Sequence, residues 1–317
     1  MSASAPAVLL MTGMKPPSRW GDALRRAMPD IALREWPALG DPREVEVIIV
    51  SKNQPEPGDA IRQLPNLRGA LILGAGVDHL IREPTLATHL PVGRLVDPQQ
   101  VRGITEYILV TVIGIHRDFP HFVRMKQEGR WDFRFPTFPE ERRIGFMGYG
   151  SMVQESAELL ARLGYPVNLW ARRARAERGM ACFAGAEGLH AFLARTDILL
   201  VSLPLTEATR RILDAPALAA LPRGASLVNI GRGEVIDDDA LLAALDSGHV
   251  AEATLDVFEV EPLRADHPYW RHPRVMITPH VAGAPHPDSA AVQLAADVRR
   301  LLRGEPPAHP VDRAAGY

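Results

Sequence analysis

The chain has 317 residues, 46% of them hydrophobic and 23% charged, and a formal net charge of −2. This is ordinary globular composition, enough for two medium domains with sizeable cores, and it excludes a broad electrostatic pull toward nucleic acid or acidic membranes. A single cysteine, Cys182, excludes an intrachain disulfide framework and predicts a reducing, cytoplasmic setting.

The opening MSASAPAVLLMTG has a short apolar run without a basic flank, so it reads as a first strand over 7–13 and not as a signal peptide. Strands are also expected over 44–50 and 68–74, short β-branched or apolar runs closed by glycine or polar residues. Helices over 18–28 and 58–64 connect them. A long helix is expected over about 100–127, apolar around much of its first half, with Pro120 kinking or interrupting it. A helix apolar on most sides must be covered, which predicts a homodimer built around it. Its apolar stretch, about 107–115, is far too short to span a membrane.

A second set of strands follows at about 143–148, 166–171, 197–203, 226–231, 252–258 and 274–280, with helical stretches between most of them. Residues 288–302 form a last amphipathic helix that could cross back to the first domain. Such alternation predicts an α/β protein with two domains, parallel sheets and helices on both faces, divided near 98–103.

The stretch RRIGFMGYGSMVQESAELL, residues 142–160, runs a short strand into Gly148-Tyr149-Gly150 and then into a helix. In a dinucleotide site the first glycine makes the tight turn and the second lets the backbone approach a pyrophosphate. The third position, which favours a small residue, is Val153 here, expected to widen helix–strand packing without blocking a phosphate. The next strand ends Ala171-Arg172-Arg173, where an NAD site expects an acid for the ribose 2′-hydroxyl. Guanidinium forks grip a 2′-phosphate, so the pattern predicts NADP(H), with NAD(H) possible. Arg175 and Arg178 are also basic, and a solvated surface run is the bland alternative.

Three polar residues stand at or just past strand ends in the second set, where open α/β sheets bind ligands. They are Arg232 in VNIGRGEVID, Glu261 in LDVFEVEPL and His280 in MITPHVAG. With GAGVDHL at 74–80, VSLPLTEATR at 201–210 and ITEYILVTVIGIHRDFPHFVRMKQEGRW before WARR, they resemble the D-isomer-specific 2-hydroxyacid dehydrogenase family, glyoxylate/hydroxypyruvate reductase branch. The resemblance implies two Rossmann-like domains. One is a flavodoxin-like substrate domain of 1–98 and 287–317, the other a dinucleotide-binding domain of 99–286 carrying the dimerisation helix.

The resemblance implies roles as well. Arg232 would hold the carboxylate and carbonyl oxygen of a 2-oxo acid and polarise the carbonyl. His280 would protonate that oxygen. Glu261, chosen over Glu234, Glu252 and Glu259 because it precedes Pro262-Leu263, would accept from the other imidazole nitrogen and favour imidazolium. Ala75, Gly76 and Val77 would bind the substrate carboxylate through backbone N–H groups. Gly148, Tyr149, Gly150, Ser151, Met152, Arg172, Arg173, Leu203, Pro204, Thr209, Ile230 and Asp256 would bind cofactor, Asp256 at the nicotinamide carboxamide and Ile230 against the ring. Trp131 would either reach the partner's active site or sit in the dimer core.

No HExxH or Cys/His ligand spacing occurs, so no metal is expected, and Cys182 reads as structural or incidental. Ser51-Lys52 stands where related reductases often carry a bulky apolar residue over the substrate, which points to a larger or more polar pocket. The expected function is NADPH-dependent reduction of glyoxylate or hydroxypyruvate. The alternatives are a dehydrogenase of a larger D-2-hydroxy acid and a non-catalytic dinucleotide sensor, which would have no use for a Glu–His acid pair.

Overall fold

The structure, a computed structural model, describes residues 6–13, 18–52, 57–177 and 179–316. The chain forms two compact units, Met1–Gln100 with Ala284–Tyr317, and Val101–Gly283. Arg178 lies outside the described residues.

The first unit runs β1 (Ala7–Met11), α1 (Arg19–Ala27), β2 (Ala32–Glu35), β3 (Val45–Val50), α2 (Gly58–Ile61), β4 (Gly69–Ile72), α3 (Asp78–Ile81) and β5 (Val92–Gly93). Its strands pair in parallel in the order β2-β1-β3-β4-β5, the flavodoxin-like arrangement. Every residue of β1 is buried, because a strand covered on both faces must be apolar throughout and cannot alternate. Leu9, Met11, Ile48 and Val50 pack on one side of the sheet, and Val8, Leu10, Val47 and Ile49 on the other.

The second unit begins within α4 (Pro98–His116) and continues through α5 (Phe119–Gln127), β6 (Ile144–Met147), α6 (Gln154–Arg162), β7 (Val167–Ala171), β8 (Ala181–Ala184), α7 (Gly185–Leu193), β9 (Ile198–Val201), α8 (Ala215–Ala219), β10 (Ala225–Asn229), α9 (Asp238–Asp246), β11 (Val250–Leu255) and β12 (Val275–Ile277). Helix α10 (Pro287–Leu302) then returns to the first unit and buries Ala290, Ala291, Leu294 and Val298. The second sheet is parallel in the order β12-β11-β10-β9-β6-β7-β8. Counted from β6 this is the doubly wound 3-2-1-4-5-6 order with one strand added, and it reverses between β6 and β9. Ligands bind such sheets outside the carboxyl ends of the strands at that reversal.

The single helix expected over 100–127 is two. Asp118 adopts a left-handed backbone, φ 57°, and ends the run. Pro120 sits in the first turn of α5, where its missing N–H is harmless. Ile104, Ile108, Val112 and Ile115 of α4 face the core. Strands β2, β5 and β8 were not expected from the sequence. All three are sheet edges; β2 and β8 are four residues long and too exposed to write an apolar run, and β5, although buried, is only two residues long. The strands expected over 68–74 and 274–280 shorten to β4 and β12, which leaves His280 in the loop beyond β12.

Candidate active site

Six loops at the carboxyl ends of strands in the second unit carry the candidate site residues. After β6, Gly148 turns the chain with φ +95°, and its N–H donates to the Trp170 carbonyl at 2.9 Å. The Ser202 hydroxyl donates to the Gly148 carbonyl at 3.1 Å. The turn is thus tied to β7 on one side and to the β9 loop on the other. A Cβ built at Gly150 would meet nothing within 4 Å. The protein itself does not need glycine there, whereas an approaching pyrophosphate does. No side chain caps the start of α6, so its first N–H groups remain available to an anion. Ser151 and Met152 complete the turn, and Val153 is 2% exposed in the core under α6. The valine that breaks the glycine pattern therefore serves as a packing residue. These features fit a dinucleotide.

Arg172 and Arg173 follow Ala171 at the end of β7, both exposed. Arg175 folds back, donating to the Tyr149 carbonyl at 2.6 Å with its guanidinium 4.7 Å from the Tyr149 ring centre. In the β9 loop, the Thr209 hydroxyl donates to the Pro204 carbonyl at 2.6 Å and accepts from the Thr206 N–H at 2.8 Å, which closes the loop on itself. Leu203 is buried, and the Ile230 N–H donates to the Val201 carbonyl.

The loop after β10 is held by an amide that sequence reasoning missed. Asn229 accepts from the Gly231 N–H and donates to the Arg232 carbonyl, both at 3.0 Å. Gly231 and Gly233 permit backbone contact. A Cβ on Gly231 would lie 2.7 Å from the Leu203 carbonyl oxygen, and one on Gly233 would lie 2.0 Å from the Phe258 carbonyl carbon. Arg232 is thereby fixed between the β9 loop and the loop after β11. The signal was present in N-x-G-R-G, an Asn spaced to cap its own turn.

The last two loops join His280 to Glu261. His280 Nδ1 lies 2.9 Å and 2.7 Å from the two Glu261 carboxylate oxygens. A carboxylate accepts only, so Nδ1 carries a proton and Nε2 is the nitrogen that exchanges one. The Phe258 N–H steadies Glu261 at 3.2 Å. Fully buried Tyr269 anchors the same excursion, donating to Asp238 at 2.9 Å. His280 has φ +54°, a left-handed backbone that costs a non-glycine residue about 1–2 kcal/mol. Asp256 offsets this. Its carbonyl accepts from the His280 N–H at 2.8 Å. Its carboxylate, 1% exposed, accepts from the Thr278 hydroxyl and from the Val281 and Ala282 N–H groups at 2.6–2.9 Å.

Residues 109–282 match the family model for the NAD-binding domain of D-isomer specific 2-hydroxyacid dehydrogenases. The glyoxylate/hydroxypyruvate reductase A of Serratia proteamaculans is 36% identical over 303 residues, 94% of this chain and 96% of that protein. The chain belongs to the D-isomer specific 2-hydroxyacid dehydrogenase family. Two solved members match over nearly all of both chains. The Xanthobacter autotrophicus Py2 enzyme, in complex with NADPH and MES, has 40% identity and a TM-score of 0.91 over 99% of this chain and 100% of that one. The NADPH-dependent glyoxylate/hydroxypyruvate reductase of Sinorhizobium meliloti, in complex with NADP and sulfate, has 31% identity and a TM-score of 0.90 over 98% and 100%.

This dehydrogenase is therefore an NAD(P)-dependent oxidoreductase of 2-hydroxy and 2-oxo acids, within the glyoxylate/hydroxypyruvate reductase branch. In its first unit, Ala75-Gly76-Val77 forms the turn between β4 and α3, again at a strand's carboxyl end. Ser51 and Lys52 follow β3, where the Ser51 N–H donates to the Met11 carbonyl at 2.8 Å. Among the described residues no group of three or more His, Cys, Asp or Glu could hold a metal ion, and no helix is long and apolar enough to cross a membrane.

Proposed function

We propose that the protein reduces a small 2-oxo acid, glyoxylate or hydroxypyruvate, to the corresponding D-2-hydroxy acid with NADPH. The His280–Glu261 pair carries this reading, because it is built to move a proton, which a dinucleotide sensor does not need. Nicotinamide, when bound, supplies the hydride. Arg232 holds the substrate carboxylate and polarises the carbonyl, and the Ala75-Gly76-Val77 turn adds backbone donors to the carboxylate. His280 delivers a proton from Nε2 to the carbonyl oxygen, while Glu261 holds the ring through Nδ1.

For the cofactor, Gly148, Tyr149, Gly150, Ser151 and Met152 would cradle the pyrophosphate. Arg172 and Arg173 would grip the 2′-phosphate, and Leu203, Pro204 and Thr209 would line the adenosine half. Ile230 would lie beside the nicotinamide, and Asp256 would use its remaining acceptor capacity on the carboxamide. NADPH and NADP in the solved relatives support the phosphate assignment. Initial rates across a panel of 2-oxo acids with each nicotinamide test it. Glyoxylate or hydroxypyruvate with NADPH should be fastest. Equal efficiency with NADH would contradict the cofactor assignment, and turnover confined to larger side chains would contradict the substrate.

The same reading includes a cytoplasmic homodimer. Support comes from Trp131, Phe133 and Phe135, which are 100%, 71% and 85% exposed, and from Val110, Phe119 and Val123 on α4 and α5. So concentrated an apolar surface marks an interaction site, and a second copy is the occupant that closes it. Sedimentation should give twice the monomer mass at micromolar concentration; a stable monomer would refute it.

A further inference from the structure

The loop that bears His280 is tied to α4 by a chain of side chains that the proton transfer itself does not use. The Tyr107 hydroxyl on α4 lies 2.7 Å from Thr278 Oγ1, and Thr278 Oγ1 lies 2.6 Å from Asp256 Oδ1. Proton counting fixes the direction. An ionised carboxylate can only accept, so the one hydroxyl proton of Thr278 goes to Asp256, and Tyr107 must then donate to Thr278. Asp256 passes the constraint on through its carbonyl to the His280 N–H, and through its carboxylate to the Val281 and Ala282 N–H groups. The residue so held is the one with the left-handed backbone.

We propose that Tyr107 and Thr278 are positioning residues that act through Asp256 to hold the His280 loop in its reactive conformation. Each donor polarises the next, so the chain works as a unit. Burial pushes the Tyr107 phenol up to about 12, so it stays a donor throughout the working pH range. Neither Tyr107 nor Thr278 is among the residues assigned to substrate or cofactor, so their effect falls on turnover more than on ground-state binding. The inference rests on the reading of His280 as the proton donor.

A double-mutant cycle tests it. Tyr107→Phe removes one neutral hydrogen bond and should lower kcat about 3–10-fold, with both KM values within about twofold. Thr278→Val also removes the donor to a charged acceptor and should lower kcat roughly 10–100-fold. Thr278→Ser keeps the hydroxyl and should restore nearly parental kcat. The decisive result is the double variant. If the relay is real, Tyr107→Phe has no further effect once Thr278 is valine. Effects that multiply, or an unchanged kcat in Tyr107→Phe, would overturn it. Should the valine variant fail to fold, Tyr107→Phe and Thr278→Ser alone decide, by the same expected values. His280→Ala measured alongside separates the two readings. Retained turnover there sinks the proton-donor assignment, whereas lost turnover there with multiplying Tyr107 and Thr278 effects sinks only the relay.

Discussion

Two glycine-bearing turns in the second unit look alike in sequence and differ in physics. In Gly148-Tyr149-Gly150, Gly148 has a backbone only glycine adopts easily, and a Cβ at Gly150 would point into open space. In Gly231-Arg232-Gly233, a side-chain atom at either glycine would collide with backbone of a neighbouring loop. Glycine in the first turn leaves room for a ligand. Glycine in the second lets the protein close on itself and aim an arginine. A G-x-G pattern alone does not say which of these it is; the neighbouring chain decides.

Substitutions can break that contrast. The largest effect is expected for Gly233→Ala. Its Cβ would need to share space with the Phe258–Glu259 peptide, and strain that backbone must absorb destabilises by about 3 kcal/mol or more. Thermal unfolding should fall sharply and activity with it; a parental melting temperature would show that the two loops are not locked together. Next comes replacement of Arg172 and Arg173 by neutral residues. Each charge-assisted phosphate bond lost is worth roughly 1.5–3 kcal/mol, so the NADPH KM should rise far more than the NADH KM, with stability unchanged. Equal rises would mean that these exposed arginines do not read the phosphate. The smallest effect is expected for Gly150→Ala. The fold should keep its melting temperature within a few degrees while affinity for both nicotinamide cofactors drops. A variant that unfolds would place Gly150 with the protein-side glycines.

Legibility in the sequence follows the range of the interactions. The buried strands of both sheets announce themselves, because a strand covered on two faces writes an uninterrupted apolar run, as in β1 and β9. Arg232, Glu261 and His280 were picked out as candidates by their flanking residues, and the structure brings Glu261 and His280 into contact across 19 positions. Less legible was what holds that set in place. Tyr107 meets Thr278 across 171 positions, and no local pattern marks either residue. Asn229 did carry a local signal, but an asparagine at a strand end competes with many equivalent ones. The break before α5 was read from Pro120, while the chain turns at Asp118, an aspartate able to adopt a left-handed backbone. Arg175 looked like one more surface charge, and its stacking on Tyr149 depends on where the β7 loop returns.

The central claim is that His280 donates the proton and that Glu261 holds its ring for the transfer. The most direct measurement is kcat for 2-oxo acid reduction in the parent, in Glu261→Gln and in His280→Ala. The glutamine keeps the size and a hydrogen-bonding group but removes the negative charge beside Nδ1. A charge-assisted hydrogen bond becomes a neutral one, weaker by about 1–2 kcal/mol, so kcat should fall roughly 10-fold. His280→Ala should lose about 10²–10⁴-fold in kcat, with NADPH binding intact. Parental turnover in Glu261→Gln, or a His280→Ala variant that turns over like the parent, would contradict the account.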